Sequence, residues 1–139
     1  MRNQTIIVYG SYGYTGKLIV QECKSKNLHV ILSGRNKEAL QKQSEESGYP
    51  YEVVEVADTT TLKNLLSKGA IVIHCGGPFQ YTAKAMADAC LETKTHYTDI
   101  TGEYMVFELL AGYDQKGKAA GITIMPGTGI VFNPNRIGL

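Results

Sequence analysis

Six short apolar runs alternate with helix-like stretches, and that alternation constrains the fold more than any other feature of the chain. Thr5–Tyr9 (TIIVY), Leu28–Ser33 (LHVILS), Tyr51–Val56 (YEVVEV), Ala70–Cys75 (AIVIHC), His96–Ile100 and Gly121–Met125 (GITIM) read as strands, the fifth the weakest. Between them, Lys17–Lys26 carries Leu18, Ile19 and Cys23 at helical spacing. Asn36–Ser47 is polar and helix-prone, with Asn36 as its N-cap. Thr60–Ser67 has a stripe of Leu62, Leu65 and Leu66, and Thr82–Glu92 one of Ala83, Met86, Ala87 and Cys90. Glu103–Lys118 places Val106, Leu109, Leu110 and Tyr113 at i, i+3, i+4 and i+7. Strands apolar on both faces belong in a parallel sheet covered by helices. Right-handed crossovers then favour a doubly wound sheet of about six strands, ordered 3-2-1-4-5-6, in a three-layer α/β/α arrangement.

The 139 residues suit one compact domain, and a formal net charge of +1 gives no electrostatic bias toward nucleic acid or anionic membrane. The basic residues form no run, and the N-terminal apolar stretch is too short for a signal peptide or a membrane span. Cys23, Cys75 and Cys90 are odd in number and lack CxxC spacing, which argues against a disulfide framework or a zinc site. No metal site is expected, and a cytoplasmic location is.

The stretch from Gly10 to Gly16, GSYGYTG, lies between the first strand and the first helix. A helix start leaves N–H groups without intrahelical acceptors and carries partial positive charge, so it attracts anions. Gly10 permits a tight turn, Gly13 lets a pyrophosphate approach the backbone, and Gly16 lets the helix pack closely. Ser11, Tyr12, Tyr14 and Thr15 complete the expected loop. The spacing is GxxGxxG, a variant of the dinucleotide fingerprint. A Walker loop fails on two counts, because Ser11 stands at its first glycine and Leu18 where Mg²⁺ needs a hydroxyl.

Folds that bind NAD place an acid at the end of the second strand, for the ribose 2′-OH. Ser33, Gly34, Arg35 and Asn36 stand there instead, and Arg35 offers a guanidinium fork to a 2′-phosphate. NADP(H) is therefore expected over NAD(H), with Arg35 and Asn36 in the site, unless Arg35 is merely solvated or caps a loop. Asp58, after the third strand, either meets the adenine edge or caps the next helix. Cys75, Gly76, Gly77 and Pro78, after the fourth, let a cofactor ribose lie against the backbone. His74 lies inside that strand and reads as a packed histidine.

The stretches GSYGYTG, SGRN, HCGGPF, DACLETKTHYTDITGE and IMPGTG together resemble the N-terminal domain of saccharopine dehydrogenase-like oxidoreductases. The subgroup includes the trans-acting enoyl reductases, and the likeness spans about residues 5–129. It implies a Rossmann NADP-binding domain with Gly10–Gly16 on the pyrophosphate and Arg35 on the 2′-phosphate. It also implies that Gly76–Phe79 and Tyr97–Glu103 face the nicotinamide. Residues 1–127 then form the dinucleotide-binding domain, and 128–139 a tail that begins a missing or truncated second domain, where family members continue differently after PGTG.

No tyrosine has Lys four residues on and no GxSxG occurs, so neither the Tyr-x-x-x-Lys acid nor a serine nucleophile is supported. Glu103 is expected as a first-turn acid of its own helix. Tyr97 and Asp99, placed at the mouth of the cleft, are the residues open to a role toward substrate. The reading that results is an NADP(H)-binding oxidoreductase domain, its small-molecule or lipid-like substrate held through the missing domain. The alternative is a non-catalytic NADPH-binding or protein-interaction module, a homodimer included, driven by apolar surface around Ile130–Phe132. A flavin or sugar-nucleotide site is weaker, since Arg35 would lack its phosphate.

Overall fold

The computed structural model describes residues 4–128. The tail expected at 128–139, Ile130–Phe132 included, lies outside the described residues from 129 onward. Strand and helix alternate as β1 (Ile6–Tyr9), α1 (Tyr14–Ser25), β2 (Val30–Gly34), α2 (Lys37–Ser47), β3 (Tyr51–Val53), α3 (Thr59–Leu66), β4 (Ile71–His74), α4 (Phe79–Thr93) and β5 (His96–Asp99). The pattern then changes to two helices in succession, α5 (Tyr104–Ala111) and α6 (Asp114–Ala120), before β6 (Ile124–Met125). The sheet is parallel throughout and runs β3-β2-β1-β4-β5-β6, the order expected from the alternation.

Side chains of one strand point alternately to the two faces. Ile7 and Tyr9 join Val72, Leu62, Leu66, Met86 and Val106 under α3, α4 and α5. Val8, with Val30 and Leu32, packs under α1 and α2 against Val20 and Leu40. Each such side chain contributes about 1.5–3 kcal/mol of transfer free energy. No helix among the described residues is long and apolar enough to cross a membrane.

Several element boundaries depart from the sequence reading: α1 starts at Tyr14, β2 at Val30 and β6 at Ile124, and three further departures have a visible cause or bear on the cleft. Strand β3 stops at Val53, because the Val54 N–H still reaches the Gly34 carbonyl at 2.9 Å but the chain then turns, with Asp58 N–H on the Glu55 carbonyl at 3.0 Å. The stripe over 103–118 is two helices. At the junction the Gly112 and Tyr113 N–H groups bond three residues back, to Leu109 (3.2 Å) and Leu110 (3.0 Å), which tightens and ends α5. The Tyr113 hydroxyl then donates to Asp88 Oδ1 of α4 at 2.6 Å. Helix α4 begins at Phe79, three residues before the stretch Thr82–Glu92 that marks it in the sequence.

β1 and β4 are neighbours whose following helices leave toward opposite faces, so the loops after them diverge. A crevice at such a reversal of strand order is where open α/β sheets receive ligands.

Candidate functional site

A cleft of ≈ 520 Å³ opens at that reversal. Its walls come from the ends of four strands: Tyr9, Gly10, Tyr12 and Gly13 at the end of β1 and beyond it, Gly34 and Arg35 at the end of β2, Glu55–Ala57 after β3, and Cys75–Pro78 after β4, with Tyr81 and Thr82 of α4.

The glycines of the first loop have separate jobs. Gly10 has φ +81°, and a Cβ there would lie 2.7 Å from the Gly76 nitrogen, so the two loops touch backbone to backbone. A Cβ on Gly16 would lie 2.3 Å from the Gly10 carbonyl oxygen, which makes that glycine the seat of α1 on its own loop. A Cβ on Gly13 would meet one atom, the Gly10 oxygen at 3.5 Å, and otherwise open space. The backbone at Gly13 is therefore approachable from the cleft. Ser11 faces inward, fully buried, and its hydroxyl donates to Gln43 Oε1 at 2.7 Å. Tyr14 is 85% exposed and Thr15 lines a different groove, so neither side chain lines the cleft.

Helix caps show which helix starts already have side-chain acceptors. The Asn36 side chain accepts from Ala39 N–H at the start of α2. The Asp58 carboxylate accepts from Thr61 N–H and Thr61 Oγ1 at the start of α3, and those bonds hold it below the usual carboxylate range. Asp58 is thus a cap, the second of the two roles weighed for it, and it does not line the cleft. Glu103 precedes α5, yet its Oε2 accepts from Phe79 N–H at 3.0 Å and so caps α4. The sequence expectation had the right chemistry on the wrong helix. Helix α1 has no side-chain cap and no acid in its first turn. Helix α5 shares that lack, but its start does not line the cleft, whereas α1 opens on it at Gly13, so the α1 N–H groups are the ones placed to meet an anion there.

At the end of β2, Ser33 is fully buried and its hydroxyl is committed to the Glu52 carbonyl at 2.7 Å. The Tyr12 ring lies on Gly34, where a Cβ would sit 2.5 Å from the ring. Arg35 is exposed and lines the cleft. Asn36 takes part through its cap and does not line it.

Beneath the β4–α4 loop lies His74, fully buried between the rings of Tyr9, Phe79 and Tyr97. Its Nε2 meets Thr82 Oγ1 at 2.8 Å, and its Nδ1 accepts from Gly76 N–H at 3.4 Å. The Thr82 hydroxyl in turn lies 3.3 Å from the Gly76 and Pro78 carbonyls. That set is satisfied by a neutral ring with its proton on Nε2. Burial pushes the His74 pKa down to about 3, Cys75 up to about 12, with Asp99 adding to the effect, and Tyr9 likewise up to about 12.

Tyr97 and Asp99 do not stand at the mouth of the cleft. Strand alternation sends both to the helix-covered face, where they are 1% and 0% exposed. The Tyr97 hydroxyl donates to Asp99 Oδ2, and Asp99 Oδ1 accepts from Thr101 N–H at 3.0 Å and Gly127 N–H at 2.8 Å. Burial and the adjacent Asp99 both drive the Tyr97 phenol well above its usual range. The pair ties β5 to the loop after β6. No group of three or more His, Cys, Asp or Glu side chains that could hold a metal occurs among the described residues.

Sequence reasoning missed Tyr9, Glu55, Val56, Ala57, Tyr81 and Thr82 as cleft residues. Tyr9 and Glu55 lie at strand ends, where position alone could have suggested them. Tyr81 and Thr82 belong to the first turn of α4, which the start at Phe79 brings to the cleft.

Comparison with known proteins agrees with this architecture. A Mus musculus saccharopine dehydrogenase-like oxidoreductase is 26% identical over 154 residues, covering 96% of this chain and 36% of its own length. A trans-acting enoyl reductase of Mycobacterium leprae is 28% identical over 111 residues, covering 75% of this chain and 27% of its own. The chain therefore spans about a third of the curated relatives it matches. Among solved structures, apo saccharopine dehydrogenase (L-Glu forming) from Saccharomyces cerevisiae shares the fold with a TM-score of 0.76 at 19% identity, over 90% of this chain and 27% of that one. The family profile described as saccharopine dehydrogenase NADP binding domain matches residues 6–125, from the first residue of β1 to the last of β6. On that match the chain belongs to the saccharopine dehydrogenase NADP binding domain family.

Proposed function

We propose that this chain holds NADP(H) in the cleft between the β1 and β4 loops and serves as the cofactor domain of an oxidoreductase. The observation that carries the reading is an uncapped helix start, that of α1, opening on the cleft at Gly13. Asn36, Asp58 and Glu103 already supply oxygen acceptors to α2, α3 and α4, whereas α1 has none and starts at an approachable glycine. The pyrophosphate belongs on Gly10–Gly16 and the first turn of α1. Arg35 meets the 2′-phosphate, and Cys75, Gly76, Gly77 and Pro78 form the opposite wall. Bound there, the nicotinamide supplies the hydride chemistry, and the chain supplies binding and orientation.

His74 and Thr82 support the β4–α4 loop, and Tyr97 with Asp99 supports β5, so the substrate-side groups come from elsewhere. A small-molecule or lipid-like substrate fits this reading. A cytoplasmic location fits it too, on the odd number of cysteines without CxxC spacing. A second reading, self-association, is favoured by a separate apolar groove of ≈ 610 Å³ on the open face of β4–β6.

Calorimetric titration with NADPH and NADH tests the first reading. NADPH binds more tightly, and Arg35→Ala weakens it by about 10- to 100-fold, the worth of a hydrogen bond to a charged group. NADH is little affected by the change. Equal affinities for the two nucleotides in the unaltered chain would sink the reading.

A further inference from the structure

The Tyr12 hydroxyl oxygen accepts two backbone hydrogen bonds, from Arg35 N–H at 3.1 Å and Asn36 N–H at 3.0 Å. A phenol hydroxyl is a donor as well as an acceptor, so the group that accepts these two bonds also has a proton to donate. Among the described residues that proton has no hydrogen-bond acceptor, although Tyr12 is half-buried and lines the same cleft as Arg35. The two N–H groups pull electron density from the oxygen, which strengthens the hydroxyl as a donor. The ring cannot slide away without leaving Gly34, which has no side chain and on which it lies.

The polar groups at this corner therefore share one sense. The Arg35 guanidinium is donor only, the Tyr12 hydroxyl has only its donor left, and Ser33 is committed elsewhere. The acid that lines the cleft, Glu55, follows β3 and not β2. A ribose 2′-OH seeks an acceptor in this position, whereas a 2′-phosphate presents acceptors only.

We propose that the Tyr12 hydroxyl, held in place by the Arg35 and Asn36 N–H groups, donates to the 2′-phosphate and is a second determinant of the preference for NADP over NAD. The inference rests on the cofactor placement proposed above, and it adds a residue of the first loop to the reading of a group at the end of β2.

Tyr12→Phe tests it, because the ring stays on Gly34 and only the hydroxyl goes. NADPH and NADH are titrated calorimetrically, with adenosine 2′,5′-bisphosphate and 5′-AMP as probes that lack the nicotinamide. The variant binds NADPH and the bisphosphate about 10-fold more weakly, the low end for a hydrogen bond to a charged group. Its affinity for NADH and 5′-AMP stays within about twofold. Parallel loss for all four ligands overturns the proposal, since it assigns Tyr12 only the upkeep of the β2–α2 turn. Unchanged or tighter NADPH binding overturns it as well. An unaltered chain with no preference for NADPH removes the cofactor placement itself, which separates the two failures. A measurement on the unaltered chain covers a variant that does not fold. With tyrosine labelled at Cζ with carbon-13, the bisphosphate shifts the Tyr12 resonance and 5′-AMP does not; equal responses overturn the proposal.

Discussion

Gly13 and Gly16 belong to one motif but answer to different forces, and substitution separates them. At Gly16 a methyl group would overlap the Gly10 carbonyl at 2.3 Å, a backbone atom that cannot swing aside. Gly16→Ala therefore destabilises the fold by about 1–3 kcal/mol, the cost of overpacking, and lowers the melting temperature. At Gly13, φ is −72° and the nearest atom is 3.5 Å away, so Gly13→Ala leaves melting unchanged and weakens NADPH binding. Thermal melts and titrations of both variants check this, and a melting temperature that falls equally in both refutes the division. His74 makes a pH-dependent contribution of definite sign. The folded state refuses a proton until pH falls to about 3, whereas the unfolded chain takes one up near 6.5. The contribution is complete above 6.5 and is lost as pH falls toward 3, at up to about 1.4 kcal/mol per pH unit. Urea unfolding at pH 7 and pH 5 should show that loss, and His74→Gln should reduce it. Identical pH dependence in the two proteins would exclude His74 as its source.

The order and type of the elements were legible because strand composition and helical stripes are local properties. Val72 and His74 point one way and Ile71 and Ile73 the other by simple alternation, and the sheet order follows from crossover handedness. What escaped the sequence was set by contacts between elements. The stripe at 106, 109, 110 and 113 continues through Tyr113, but that side chain is drawn to Asp88 on α4, and the helix ends beneath it. Glu103 reads as an acid for its own helix, yet the β5–α5 turn delivers its carboxylate to Phe79. The site was legible to a similar depth. The glycine loop, Arg35 and the β4 loop stand where strand ends must bring them together. The inward turn of Tyr97 and Asp99 depended on the phase of β5, which a short strand with mixed polarity does not announce. Tyr12 entered the sequence reading only as one residue of a loop, because its bonds reach 23 and 24 residues along the chain.

At the scale of the whole molecule, the described residues cover the two faces of the sheet unequally. Helices α3, α4 and α5 cover one face, while α1 and α2 cover only the β1–β3 half of the other. The remaining half is a groove whose apolar lining includes Ile19, Ile71, Ile73, Ile100 and Met125. Such a surface binds hydrophobic probes and favours association when nothing covers it. Anilinonaphthalene sulfonate fluorescence should rise on addition of the chain, and sedimentation velocity at increasing concentration should show species heavier than a monomer. Ile71→Lys places a charge in that groove at the start of β4, whereas the cleft lies past the end of the same strand, about 10 Å away at 3.3 Å per residue. The variant should therefore lose dye binding and association together while its NADPH affinity stays unchanged. Association that persists in Ile71→Lys would move the contact to another surface. A fall in NADPH affinity would mean that the two faces of the sheet are coupled, which the separate linings of groove and cleft argue against.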